Sequence, residues 1–329
     1  MAPPPGRVPR GPARRRARRE RGQRTGAVPC GRAETMRALS WLTVLAAMLT
    51  TPGYARAEAV QLQHDGRTLN ADLTLPAGGD ISGGLVVLVH GTLMHGRMEI
   101  MAALQKGLAE RGVGSLAITL SLGLNDRRGP YDCATPHRHM LDDTAREIGA
   151  WTQWAKERGA ARVDLAGHSR GGAQVAYALA NHTVSGVRRV VLIAPAVSEP
   201  GEVATGYEKT YGIPLAALLA GAITRSAAPD TLLRPIGFLT CRDAAVAPRT
   251  FLDNYTGLSR HDTPTLLARI GDPTLVVIAG NDEVVRGLDR RLPPASDRLR
   301  IVTVDGADHQ FLDLYGEDLA EAVATFIKE

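Results

Sequence analysis

Ser169 stands in the run Gly167-His168-Ser169-Arg170-Gly171-Gly172, with glycine two residues before it and two after. A hydroxyl is a poor nucleophile until a base takes its proton, so the value of this serine depends on what surrounds it. Residues 163–166, Val-Asp-Leu-Ala, have strand character, and residues 171–180 are small and compatible with a helix. A serine on so sharp a strand-to-helix turn leaves no space for side chains on either flank, which is the reason for glycine at 167 and 171. The turn lifts the hydroxyl out of a sheet and points a helix N-terminus at it, where free N–H groups favour negative charge. Ser169 is the candidate nucleophile, and acyl transfer is the chemistry it suits.

Two later segments supply a base and an acid. Residues 274–279 are followed by Gly280-Asn281-Asp282-Glu283, and residues 299–304 by Asp305-Gly306-Ala307-Asp308-His309. Both segments fall at the carboxyl ends of expected parallel strands, where open α/β sheets place their sites. His309 is the expected base, oriented by a carboxylate. His168 lies inside the turn, and His137, His139, His182 and His261 read as loop or surface residues. Asp282 is the expected acid because it stands just past its strand, while Glu283 begins the next apolar turn. Asp308 reads as a turn residue, and Glu199, after Pro195, is the weaker alternative. The tetrahedral intermediate of acyl transfer needs two N–H donors for its oxyanion. One is the N–H of Arg170. The other is expected from the loop His90-Gly91-Thr92 after residues 85–89, at Thr92 or its neighbour Leu93, with His90 bracing the loop.

These residues need a sheet to carry them. Residues 59–62 and 69–75 form an expected hairpin around Asp65-Gly66. From residue 85 onward, short β-branched runs alternate with helical patterns, the signature of βαβ units. Leu85-Val-Val-Leu-Val89 is unbroken in apolar character, as a strand buried on both faces must be. Strands are expected at 115–120, 163–166, 187–193, 274–279 and 299–304, and helices at 99–111, 142–158, 171–180 and 316–327. Ile148, Trp151, Trp154 and Ala155 recur at helical spacing and belong to the core. Residues 196–260 break the alternation and contain Pro214, Pro229, Pro235 and Pro248 among their prolines. They are expected to form an inserted cap or lid, since long insertions in compact domains are usually functional. Its apolar stretch, 213–223, suggests an apolar portion in the substrate.

In the order and strand context of His90-Gly91, Gly167-x-Ser169-x-Gly171, Asp282 and His309, the chain from about 85 to 309 resembles the α/β-hydrolase superfamily. The resemblance implies a mostly parallel central sheet flanked by helices, no cofactor, and acyl-enzyme chemistry on esters, thioesters or amides. It covers the catalytic frame and leaves the insertion, which sets specificity, unmatched. The loop at 122–133 should face the site, where its charges either bind a polar or anionic substrate group or form a solvated face. His137 and His139 lack a spaced third ligand, so no metal is expected.

The formal charge of +5 invites a nucleic-acid reading that its distribution removes. Twelve arginines and only two acids, Glu20 and Glu34, fall in residues 1–57, leaving 27 basic against 32 acidic residues downstream. An acidic body has no electrostatic reason to hold a phosphate backbone. Residues 1–35 are rich in Pro, Arg and Gly and poor in apolar side chains, a composition that does not fold. They are expected to precede the true start at Met36. Arg37, an apolar run at 38–49 and Ala55-Arg56-Ala57 then make a secretory signal peptide over 36–57. That run is shorter than the roughly 20 residues a spanning helix needs, so the mature chain, 58–329, carries no stable membrane anchor. It is expected in the periplasm or outside the cell. Cys30 is lost with the leader, and Cys133 and Cys241 remain as a pair that either bonds in that compartment or stays as two buried thiols. A small-molecule or acyl substrate is the expected partner. An acyltransferase or peptidase on the same residues, or a non-catalytic ligand-binding member of the fold, are the alternatives.

Overall fold

The computed structural model describes residues 56–329, apart from 182, 229 and 230. The expected extension at 1–35 and the signal segment at 36–57 lie outside the described residues, except that Arg56 and Ala57 already belong to the first strand.

Strands β1 (Arg56–His64) and β2 (Arg67–Leu75) form a hairpin in which Asp65 and Gly66 take φ of 47° and 71°. Two-residue hairpin turns require positive φ at both positions, which Asp-Gly supplies at low cost. There follow β3 (Leu85–Val89), α1 (Glu99–Glu110), β4 (Ser115–Thr119), α2 (Leu141–Glu157), β5 (Val163–His168), α3 (Arg170–Ala180) and β6 (Val190–Ile193). After an insertion come α4 (Pro200–Tyr211), α5 (Leu215–Arg225), β7 (Leu233–Phe238), β8 (Cys241–Val246), α6 (Pro248–Tyr255) and α7 (Thr263–Leu267). The chain closes with β9 (Thr274–Ala279), α8 (Leu288–Arg291), β10 (Leu299–Val304) and α9 (Leu314–Lys328).

Eight strands make one sheet in the order β1-β2-β4-β3-β5-β6-β9-β10. Only β2 runs against its neighbours; every other pairing is parallel. Leu85, Val87 and Val89 of β3 pack with Ile148 and Trp151 of α2 and Val175 of α3 on one face. Val86 and Leu88 pack with Ile100, Met101 and Leu104 of α1 and Leu319 and Val323 of α9 on the other. Helices thus cover both faces, and that is why β3, β4, β5 and β6 are buried along their whole length. The carboxyl ends of β3, β5, β9 and β10 reach one edge of this sheet, and all the site loops leave from there.

Residues 200–255 stand apart as α4, α5, α6 and a separate two-stranded sheet of β7 and β8. Aromatic packing holds them. Tyr207, Tyr255 and Phe251 surround one another with Phe238, and the Tyr207 and Tyr211 hydroxyls donate to Gly237 O and Leu239 O at 2.6 and 2.7 Å. The apolar stretch at 213–223 divides between core and solvent: Leu215 and Ala222 are buried, whereas Ile213 and Ile223 are 44% and 62% exposed. A disulfide joins Cys241 on β8 to Cys133 in the loop after β4, with the Cα atoms 5.5 Å apart. Beside it, His137 N–H donates to Ala245 O at 2.8 Å and Ala247 N–H to His137 O at 2.9 Å. The insertion is therefore fastened to the main body by one covalent bond and a short backbone ladder.

The disulfide spans 108 residues, and closing so long a loop restricts the unfolded chain strongly. Exchanging both cysteines for serine should lower unfolding free energy by about 2–4 kcal/mol. Urea melts of parent and Cys133→Ser/Cys241→Ser, with and without reductant, check this; identical midpoints would show that the bond contributes nothing.

Candidate active site

Ser169 occupies the junction of β5 and α3 at φ 56° and ψ −123°. A residue with a side chain holds such a conformation only when its surroundings leave no alternative. Here its N–H donates to Ile193 O at 2.9 Å, and its carbonyl accepts from the N–H of Gly172 and Ala196, both at 3.0 Å. A Cβ added to Gly171 would strike the carbonyl oxygens of Val89 and His90, and one added to Gly167 would strike the backbone of Gly171. The turn is tight because the end of β3 is pressed against it.

The structure brings Ser169, His309 and Asp282 together from three strand ends. Ser169 Oγ donates to His309 Nε2 at 2.9 Å, and His309 Nδ1 donates to Asp282 Oδ2 at 2.7 Å. That pairing assigns the imidazole proton to Nδ1 and leaves Nε2 as the acceptor. Asp282 Oδ1 accepts the N–H groups of Val284 and Val285 at 2.7 and 2.8 Å, so both carboxylate oxygens are aimed by fixed donors. Burial pulls the Asp282 carboxyl upward. The hydrogen bond from His309 and the two backbone N–H groups outweigh it and hold the group below the ordinary carboxylate range. Ser169 and His309 are 9% and 7% exposed.

Two further histidines fix the frame. His168 Nε2–H donates to the carbonyl of His309 at 2.8 Å, which pins the loop carrying the base. Burial, helped by the nearness of His309, pushes His168 down to about 4. It is therefore neutral and places no repelling charge beside the base. His90 accepts at Nε2 from Leu120 N–H and from Arg127, both at 3.1 Å, and so donates from Nδ1 to Gly91 O at 2.8 Å. Burial and then Arg127 push it down to about 3. His90 thus braces the loop from inside, and Gly91 lies so close that a Cβ there would sit 3.4 Å from Ser169 Cβ.

Thr92 and Leu93 continue that loop, with Leu93 at φ 56°. Among the described residues, the N–H groups of Thr92, Leu93 and Arg170 donate to no protein acceptor. The first N–H groups of a helix have no partner within it, and Arg170 stands at the start of α3.

Other expectations change. Arg127 is neither solvated nor directed at substrate. It is 7% exposed and spends its donors on Leu120 O, Gly129 O and His90 at 2.7, 2.6 and 3.1 Å. His137, His139 and His261, expected on loops or surface, are buried at 0%, 4% and 6%. His137 stacks on Tyr131 with ring centroids 4.5 Å apart, and His261 Nε2 donates to Asp253 O at 2.7 Å. Glu199 caps α4 through Glu202 N–H at 2.8 Å, and Asp308 closes a turn on Gln310 N–H at 2.9 Å, so each has a local role. Sequence reasoning missed the bracing parts of His168 and Arg127. The only signal was position: one adjoins the nucleophile, the other follows the strand beside the His90 loop. Among the described residues no group of three or more His, Cys, Asp or Glu side chains is placed to hold a metal.

A mostly parallel eight-stranded sheet with these loops at its carboxyl edge defines a class, and the sequence agrees. The profile of the alpha/beta hydrolase family matches residues 86–325, and the chain belongs to that family. Among solved structures it is similar to Est1E from Butyrivibrio proteoclasticus, at 22% identity over 82% of this chain and 97% of that one, with a TM-score of 0.59. It is also similar to an esterase from Pyrococcus furiosus, at 15% identity over 84% and 91%, TM-score 0.55. The esterase domain of a Rhodothermus marinus protein follows at 16% identity over 83% and 98%, TM-score 0.52. At such identities the likeness concerns the fold. No curated protein matches the chain in sequence.

Five buried imidazoles make the fold sensitive to acid. His90 and His139 are pushed down to about 3, and His137, His168 and His261 to about 4, in every case mainly by burial. Unfolded, each would titrate near 6.5. Below that pH the unfolded chain binds more protons than the folded one, so stability is full above about 6.5 and is lost as pH falls toward about 4. Glu147 and Asp164, whose carboxyls burial pushes up, act in the opposite sense, two groups against five. The urea midpoint should fall clearly between pH 7.5 and pH 5; a midpoint that rises would mean the carboxyls dominate.

Proposed function

We propose that the protein is a serine hydrolase that cleaves a carboxylic ester or related acyl bond through an acyl-enzyme. The observation carrying this reading is the unbroken hydrogen-bond chain from Ser169 Oγ through His309 to Asp282. His309 Nε2 takes the hydroxyl proton as Ser169 Oγ attacks the acyl carbon, and the carbonyl electron pair moves onto oxygen beside the N–H groups of Arg170 and Thr92. The intermediate collapses as His309 returns the proton to the leaving alcohol, and water repeats the sequence to free the acid. Asp282 keeps the imidazole in the correct tautomer and stabilises it when charged. The similar proteins from Pyrococcus furiosus and Rhodothermus marinus are esterases, in keeping with this class of bond.

An acyltransferase or a peptidase would use the same residues with another acceptor or another leaving group, and a non-catalytic binding protein would have no need of the strained serine. We further propose that residues 36–57 are removed during export and that the enzyme works in the periplasm or outside the cell. Among the described residues no helix is long and apolar enough to cross a membrane. The disulfide suits an oxidising compartment.

The parent protein should react with a fluorophosphonate probe and hydrolyse p-nitrophenyl esters. Ser169→Ala should abolish both signals, while His309→Ala and Asp282→Asn should each lower kcat on the order of 10⁴-fold. A folded parent that neither labels nor turns over would favour the binding-protein alternative. The intact mass of the exported protein should begin at Glu58; a retained Met1 would overturn the export reading.

A further inference from the structure

Arg170 matters here for its side chain. It opens α3, at the positive end of the helix dipole, where a cation is disfavoured. Its guanidinium lies under the insertion, and the acceptor it reaches is the neutral side-chain oxygen of Asn254. Among the described residues no carboxylate lies within ion-pair distance of it. Asp253, the carboxylate whose charge is felt at Arg170, gives Oδ2 to Leu141 N–H at 2.6 Å and Oδ1 to Arg260 at 3.1 Å. The adjacent imidazoles of His139 and His261 stay neutral, pushed down by burial and by the charge of Arg170 itself. His139 Nδ1 is buried without a partner. Arg127 makes the contrast plain, since that buried guanidinium gives its donors to two carbonyls and an imidazole. Arg170 is half-buried and, among the described residues, keeps donors that no protein acceptor takes.

Arg170 lines a cavity of about 20 Å³ with Leu141, Ala173, Gln174, Ala196, Ser198 and His261. Ala173 and Ala196 donate their N–H groups to Ser169 O, so the cavity abuts the nucleophile's own backbone. A water needs roughly 10–15 Å³ measured this way, so the space suits a small polar group and not an acyl chain. A planar guanidinium fork beside an amide and a hydroxyl matches a carboxylate, which accepts two parallel N–H bonds.

We propose that this cavity recognises a free carboxylate on the substrate, so that the enzyme prefers esters bearing a carboxylate a few atoms from the scissile carbonyl, with Arg170 as the specificity residue. The proposal rests on the serine-hydrolase reading of Ser169. The carboxylate can belong to the acyl half, as in a half-ester of a short dicarboxylic acid, or to the alcohol half.

The test measures kcat/KM of the full chain on neutral p-nitrophenyl butyrate, on mono-p-nitrophenyl glutarate and on 4-butyryloxybenzoate, in the parent, Arg170→Lys and Arg170→Gln. One anionic ester should exceed the neutral one at least tenfold in the parent, chiefly through KM, and which one identifies the half that carries the charge. Arg170→Gln should erase that ratio and Arg170→Lys retain part of it. If Arg170→Gln fails to fold, Gln174→Ala should reduce the ratio severalfold in its place. A parent that labels with fluorophosphonate and hydrolyses butyrate but favours neither anionic ester overturns the proposal and leaves the hydrolase reading intact. So does a preference that survives both Arg170→Gln and Gln174→Ala. A folded parent inert toward the probe and all three esters removes the hydrolase reading, and this proposal with it.

Discussion

The end of β3, the end of β5 and the start of α3 touch backbone to backbone, with no side chain between them. Gly167, Gly171 and Gly172 face one another and the carbonyls of Val89 and His90 at distances that admit no Cβ. This contact forces the positive φ of Ser169, exposes the free N–H groups at the head of α3, and sets Gly91 against Ser169. Because β3 and β5 are sheet neighbours while the chain leaves them toward opposite flanks, the crevice they open at the carboxyl edge follows from topology. A methyl group at Gly171 would disturb Ser169, the N–H of Arg170 and the β3–β5 seam together.

Around that contact the protein economises on charge. His90 and His168 are kept neutral by burial, so each has one donor and one acceptor nitrogen, and their partners dictate which is which. His168 holds the carbonyl of His309, His90 holds the loop of Thr92, and Asp282 is the anion that meets the base directly. Neutral braces add no positive charge beside the Ser169–His309–Asp282 hydrogen-bond chain.

Much of this was visible in residue order. The bounds of β3, β9 and β10 coincide with their apolar runs, and Asp282 and His309 meet because each stands just past a parallel strand. Helices α2, α3 and α9 fall within two residues of expectation, their start and stop signals being local. The β7–β8 hairpin was not legible. Pro235, Arg234, Arg242 and Asp243 spoil the alternation of its strands, which are held by Tyr207, Tyr211 and Phe251 from other elements. Nor could the burial of His137, His139, His261 and Arg127 be read, because a polar side chain in a loop is buried or not according to what folds over it. The pairing of Cys133 with Cys241 likewise depends on where β8 lands.

The nucleophile and its base are separated by 140 residues, with the base beyond the last strand of the sheet. A chain that ends before β10, whether still on the ribosome or cut by a protease, holds a hydroxyl with nothing to deprotonate it. On the proposed reading, chemical competence arrives with the C-terminus. On the export proposed above, a polypeptide threaded unfolded across a membrane would pass the acyl bonds of its birthplace without harming them.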